Sequence, residues 1–178
     1  MSSTKRLALW INVVGGLAVL LSYAHGLSSN PLTRGEIWGG VPNAMRPLYT
    51  INMLLAASGY FAFSYFVFFR LDPGQTRVGR LFGFGVFNVL YLLILVPSAL
   101  WLPLTFAMIE SPSAGLWWAI RVVLGLVGIG SVGLLAAIVT VQSPRAAGAR
   151  WVAVIGGGFF CLQTAILDAL VWPAFFPV

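Results

Sequence analysis

Asp168 is an acid set inside an otherwise apolar stretch that runs from Trp151 to Trp172. On insertion scales such a group costs about 2.5–3.5 kcal/mol at the centre of a bilayer, so it normally faces other protein and has a partner. The cationic or titratable residues at a matching depth are His25, Arg46 and Arg121. Three roles stay open for the acid: an acceptor tying its helix to a neighbour, a group that touches a ligand, or a proton relay. His25 makes no metal or haem site by itself, because a bis-histidine cofactor needs a second histidine and the chain has 1. Catalysis is poorly supplied: Glu36, Glu110, Asp168 and His25 are nearly the whole stock of acids and bases, and no nucleophile stands beside a base.

These residues have to be positioned by membrane helices. Hydrophobic residues make up 60% of the 178 and charged residues 8%, and a spanning helix needs about 20 predominantly apolar residues. Suitable windows are 7–27, 47–69, 81–106, 116–141 and 151–172. The runs are continuous rather than alternating, which favours helices over a barrel. The expected fold is an all-α integral membrane protein, a five-transmembrane-helix bundle forming a single domain over residues 1–178. Lys5 and Arg6 precede the first run as they would in a signal peptide. That run exceeds a signal core of roughly 7–15 residues, and no clear small-x-small cleavage site follows, so it is read as a retained helix.

Turn formers join the runs at Asp72-Pro73-Gly74, Ser111-Pro112-Ser113 and Ser143-Pro144. Only the connection from Ser28 to Arg46 is long. It carries Pro31, Arg34, Glu36, Trp38, Gly39-Gly40 and Pro42, and long loops on small bundles are more often functional than idle. The single cysteine, Cys161, falls inside the last run, where it has no internal disulfide partner and reads as a small apolar side chain.

Basic residues near membrane ends are retained on the cytoplasmic side. Lys5, Arg6, Arg70, Arg77, Arg80, Arg145 and Arg150 share one face of the expected topology, against Arg34, Arg46 and Arg121 on the other. The amino terminus is therefore expected in the cytoplasm and the carboxyl terminus outside. The net charge of +6 reflects this bias, and the dispersal of the basic residues excludes a nucleic-acid patch.

On this topology several groups fall at one depth, near the external helix ends: His25, Tyr49, Asn52, Trp101, Trp117, Trp118, Arg121 and Asp168, with Trp38 in the loop above. Aromatics converging with a few polar groups are what a small-molecule pocket between helices requires. The competing reading is an aromatic belt at the bilayer interface, which fits Trp117, Trp118 and Trp172 equally well. Pro97 and Pro103 bracket Trp101, so a bend is expected there. Gly79 and Gly83 have GxxxG spacing, and further glycines crowd the fourth and fifth runs at Gly125, Gly128, Gly130, Gly133 and Gly156-Gly157-Gly158. Small residues of this kind let helices approach closely, and for most of them packing within the chain is the simpler expectation.

Several stretches resemble the TspO/MBR (translocator protein) family. Trp38, Pro42, Pro47-Leu48-Tyr49-Thr50 and Ala56-Ala57-Ser58-Gly59-Tyr60 look like its first loop and second helix. Ser98-Ala99-Leu100-Trp101-Leu102-Pro103-Leu104-Thr105-Phe106 is similar to its third helix, and Gln163 to Asp168, closed by Trp172, to its fifth. Departures fall on the same positions. Tyr49 stands where the family has Trp, Ser98 and Asp168 where it has Asn, Gly156-Gly157-Gly158 replaces a Leu-Pro-Tyr run, and the cholesterol-motif Tyr and Arg of some members are absent. The resemblance implies a five-helix bundle, often a homodimer, binding a tetrapyrrole (porphyrin or haem) or a sterol-like molecule beneath the first loop as sensor or transporter. The ligand-contacting set would be Trp38, Tyr49, Asn52, Trp101, Asp168 and His25, whose aromatic faces and few polar groups suit a planar amphipathic molecule. The alternatives are an assembly subunit of a larger membrane complex, with the glycine faces as partner surfaces, and an intramembrane enzyme.

Overall fold

The long apolar runs fold as helices in the computed structural model, which describes residues 2–142 and 147–177. Among these residues five helices are long and apolar enough to cross a membrane. The chain is an all-α, multi-pass integral membrane protein. Its spans are α1 (Ser3–Ser29), α2 (Arg46–Tyr65, extended by a π-turn over Phe66–Arg70), α3 (Gly85–Glu110), α4 (Ala114–Thr140) and a composite last span. That last span is α5 (Ala147–Cys161), a π-helical stretch (Leu162–Val171) and α6 (Trp172–Phe175). The expected turn at Ser143-Pro144, and Arg145, lie outside the described residues.

Local chemistry sets the helix ends. Ser2 and Ser113 cap α1 and α4, their hydroxyl oxygens accepting from the amides of Lys5 and Leu116, which satisfies donors that have no partner inside the helix. Pro47 occupies the first turn of α2, where its missing N–H leaves nothing unpaired. Asp72 closes the turn after α2 by accepting from the Gly74 amide at 3.0 Å. α3 runs unbroken through Pro97 and Pro103.

The third span begins later than its apolar window. Residues 81–84 belong to a hairpin of β1 (Arg77–Val78) and β2 (Phe82–Gly83), and β3 (Val141–Gln142) pairs antiparallel on the other side of β1. Gly79 turns the hairpin at φ +58, a conformation that costs glycine little. The Gly79/Gly83 pair is thus a turn and a strand end, not a helix-packing motif. Spacing alone misread it, because the apolar Leu81 and Phe82 between the glycines are exposed beside the membrane helices.

α4 is the central helix, buried along its length from Trp117 to Ile138, whereas α1 buries only Ala8 and Gly26. α1 packs on α3, α3 on α4, α4 on the last span and the last span on α2, while α1 and α2 make little direct contact. Tyr60 joins these two toward the amino-terminal end of α1, donating to Asn12 Oδ1 at 2.6 Å. The turn after α2 lies against the start of α1, where Lys5 donates to the Leu71 carbonyl at 3.1 Å. Outward surfaces stay apolar, with Leu20, Leu21, Phe61 and Ile129 all exposed. Lipid, not water, suits that surface.

The closest crossing is glycine on glycine: a Cβ built on Gly156 would lie 2.7 Å from the Gly59 Cα. Gly128 and Gly130 seat Ala165 and Ile94 in the same way, so these glycines pack helices within the chain, while Gly125 and Gly158 face open space. Gly59→Ala should therefore destabilise the α2–α5 crossing by about 1–3 kcal/mol, with Gly158→Ala as a silent control. Thermal unfolding in detergent measures both, and equal midpoints for the two variants would refute the assignment.

Candidate functional site

A cavity of about 380 Å³ occupies the space between α1 and α2 beneath the first loop, with walls from every span. Small-molecule sites generally run from about 300 to 1,000 Å³ with apolar walls and a few placed polar groups. Here the wall is predominantly apolar. Trp38, Tyr49, Trp101 and Asp168, four of the residues expected from sequence, line it together.

The roof is held by backbone chemistry at the carboxyl-terminal end. A 3₁₀ turn (Glu36–Trp38) brings Ile37 and Trp38 over the cavity. Trp172 Nε1 donates to the Ile37 carbonyl at 2.9 Å, and the Gly40 amide donates to the Phe175 carbonyl at 2.7 Å. Gly39 makes this approach possible: it sits at φ +54, and a Cβ there would meet the Phe176 Cα at 3.0 Å. Trp38 then stands edge-on to Tyr49 at 6.0 Å between ring centroids.

The π-helical stretch determines what faces inward. Residues five apart on an α-helix diverge by about 140°, but the i→i+5 repeat of a π-helix stacks them on one face. Gln163 and Asp168 are such a pair, and the Gln163 Nε2 donates to Asp168 Oδ1 at 2.8 Å. Asn52 Nδ2 donates to Gln163 Oε1 at 3.0 Å and to the Phe159 carbonyl at 3.2 Å. Tyr49 donates its hydroxyl proton to the Leu167 carbonyl at 2.9 Å. α2 and the last span are thus joined by a relay from Asn52 through Gln163 to Asp168, with the acid at its cavity end.

Two expectations are corrected. His25 is at the right depth but on the wrong face of α1: it is exposed, and its Nδ1 meets the Ser29 hydroxyl at 3.3 Å. Tyr23 lines the cavity instead, two residues and about 200° away around the helix. Asn52 is buried between helices and braces Gln163 without lining the cavity. Nor do the expected cations pair with Asp168. Arg46 lies 5.6 Å from the Trp38 ring and donates to the Val41 carbonyl, and Arg121 lies 5.1 Å from the Trp118 ring.

Sequence reasoning passed over Gln163, Tyr23 and Trp172 as site residues. Gln163 carried the same signal as Asp168, a polar group inside an apolar run. Trp172 and Trp101 meet edge to face at 5.9 Å, and Tyr23 tilts against Trp101 at 5.8 Å. Trp117 is buried against Phe176, with ring centroids 5.7 Å apart, while Trp118 is exposed in the manner of an interfacial belt. Two buried polar atoms near this end have no hydrogen-bond partner among the described residues, Asn52 Oδ1 and Trp101 Nε1.

No family model matches the chain, and comparison with curated proteins and with solved structures returns no significant match.

The relay makes a measurable claim on stability. Gln163→Leu leaves the Asp168 oxygen and the Asn52 amide without this partner and should cost about 1–3 kcal/mol. Asp168→Asn keeps an oxygen for Gln163 and should cost less than about 1 kcal/mol. Unfolding curves in detergent give both values, and a Gln163→Leu midpoint equal to wild type would show that the relay carries no stability.

Proposed function

We propose that the chain is a membrane receptor or carrier for a flat, largely apolar molecule of the tetrapyrrole or sterol-like class, held beneath the first loop. The observation that carries this reading is the cavity, which draws residues from every span and from the loop, and gathers Trp38, Tyr49, Trp101 and Trp172 around one acid. Stacking area comes from the aromatic rings and orientation from the few polar groups. The resemblance of the Trp38–Tyr60, Ser98–Phe106 and Gln163–Trp172 stretches to the TspO/MBR family supports the same reading. Access from the bilayer is supported by the sparse contact between α1 and α2, and by Met53, which lines the cavity and is 45% exposed.

The orientation that accompanies this proposal puts the loop outside and the amino terminus in the cytoplasm. It rests on Lys5, Arg6, Arg70, Arg77, Arg80 and Arg150, against Arg34, Arg46 and Arg121. In a Cys161→Ala background, a cysteine replacing the exposed Gly35 should react with an impermeant maleimide on intact cells. One replacing Gly74 should react only after permeabilisation. The reverse pattern would invert the topology. Gly39 is unsuitable as a probe position because of its positive φ.

Ligand binding is tested with octaethylporphyrin, a flat neutral tetrapyrrole, by quenching of tryptophan fluorescence in detergent. A stacked aromatic is worth about 0.5–1.5 kcal/mol beyond its buried area, so Trp101→Ala should weaken binding several-fold to about tenfold. Asp168→Asn, which preserves shape, should retain it. Equal affinity of wild type and Trp101→Ala, or no saturable quenching, would remove this cavity as the binding site and favour an assembly-subunit role.

A further inference from the structure

We propose that the ligand of this cavity carries a positive charge: an alkylated ammonium on a flat apolar body, with the cation seated against Asp168 and enclosed by the surrounding aromatic rings. The proposal deepens the ligand-binding reading and rests on it.

Three observations combine. First, the protein leaves the acid half-used. Asp168 Oδ1 accepts from Gln163, while Oδ2 has no hydrogen-bond partner among the described residues, and Asp168 lines the cavity. A purely structural acceptor at this position would need only the Gln163 bond. Second, no Lys, Arg or His among the described residues lines the cavity. Arg46 and Arg121 are drawn to the faces of Trp38 and of Trp117 and Trp118, and His25 points away from the cavity with Ser29. Asn52 occupies the Gln163 oxygen, which commits the amide's N–H side to Asp168. The relay therefore delivers a neutral donor and no charge.

Third, the aromatic part of the wall suits a cation, while its aliphatic part suits an apolar body. Tyr23, Tyr49, Trp101 and Trp172 approach the acid's cavity from α1, α2, α3 and α6, and Trp38 closes it from the loop. Their ring faces carry negative quadrupole, the basis of aromatic cages for quaternary ammonium groups. In a wall this apolar an ion pair is weakly screened, and an anion would meet both the carboxylate and the ring faces. A neutral flat molecule would leave the second oxygen unmatched.

The test uses two probes of one shape, (9-anthrylmethyl)trimethylammonium and neutral 9-neopentylanthracene, with the full chain in detergent. Binding is read by energy transfer from tryptophan to the anthracene, at matched probe concentrations in the micelle. Wild type should bind the cation about tenfold more tightly than the neutral probe. Asp168→Asn should lose that preference, the ratio of the two affinities falling to about one, and Asp168→Glu should keep a preference for the cation. Equal or tighter binding of the neutral probe by wild type, or a preference that survives in Asp168→Asn, overturns the cation assignment and leaves the cavity as a neutral-ligand site. Absence of saturable transfer from both probes overturns the ligand-binding reading as well. If Asp168→Asn fails to fold, the comparison of the two probes on wild type still decides the matter.

Discussion

The site depends on ten π-helical residues, Leu162–Val171, in the last span. A membrane-spanning segment has to satisfy its backbone internally, which makes a departure from α-helical pairing costly unless neighbouring groups compensate. Here they do. The Leu167 carbonyl receives both the Trp172 amide and the Tyr49 hydroxyl, so a side chain of α2 is used to complete the backbone of the last span. The wider repeat also places Gln163 beside Asp168, and that pairing turns an isolated acid into the end of a braced network. If α-helical geometry replaced it, the two side chains would diverge and Trp172 would rotate away from Ile37, loosening the roof.

The roof and the relay are two ends of one construction. α2 contributes Tyr49 and Asn52 three residues apart, on one face by helical periodicity, and each bonds to the last span. Farther along α2, Gly59 lets the same two helices come into backbone contact at Gly156. The α2–α5 pair is thereby fixed along its length, while α1 leans on α3 and meets α2 chiefly through Tyr60 and Asn12. A cavity beside the loosely attached helix is the expected result. Packing density is surrendered where α1 and α2 fail to meet, and again in a more open apolar cleft of about 440 Å³ where α1 lies on α3.

Much of this was legible in the sequence, and the rest was hidden for definable reasons. Span number and position follow from hydropathy because a bilayer sets a minimum apolar length; α1 and α4 nevertheless start before their windows, where the polar caps Ser2 and Ser113 extend them. Level along the helices was also readable, and Trp38, Tyr49, Trp101 and Asp168, grouped on that ground, line one cavity. Rotation about each helix axis was not, because α1 is apolar on every side and carries no amphipathic pattern to orient it. His25 and Tyr23 therefore exchanged places. The π-helix had no signal in residue types, and without it Gln163 looked unrelated to Asp168. The Gly79/Gly83 hairpin was obscured by the same apolarity, since Phe82 in a strand reads like Phe82 in a helix.

Sequences usually satisfy buried polar groups, so the places where this one does not are informative. Among the described residues Asn52 Oδ1, Asn88 Oδ1 and Trp101 Nε1 lack partners; the first and last are at the end of the bundle that holds the cavity, and Asn88 is at the other end, beside Thr4. A phenylalanine at position 101 would fill similar space without leaving an indole N–H unmatched, and a bundle selected for stability alone would favour it. What the existing residues supply instead is direction: the relay aims a donor at Oδ1 of Asp168 and leaves Oδ2 without a hydrogen-bond partner among the described residues, on a residue that lines the cavity.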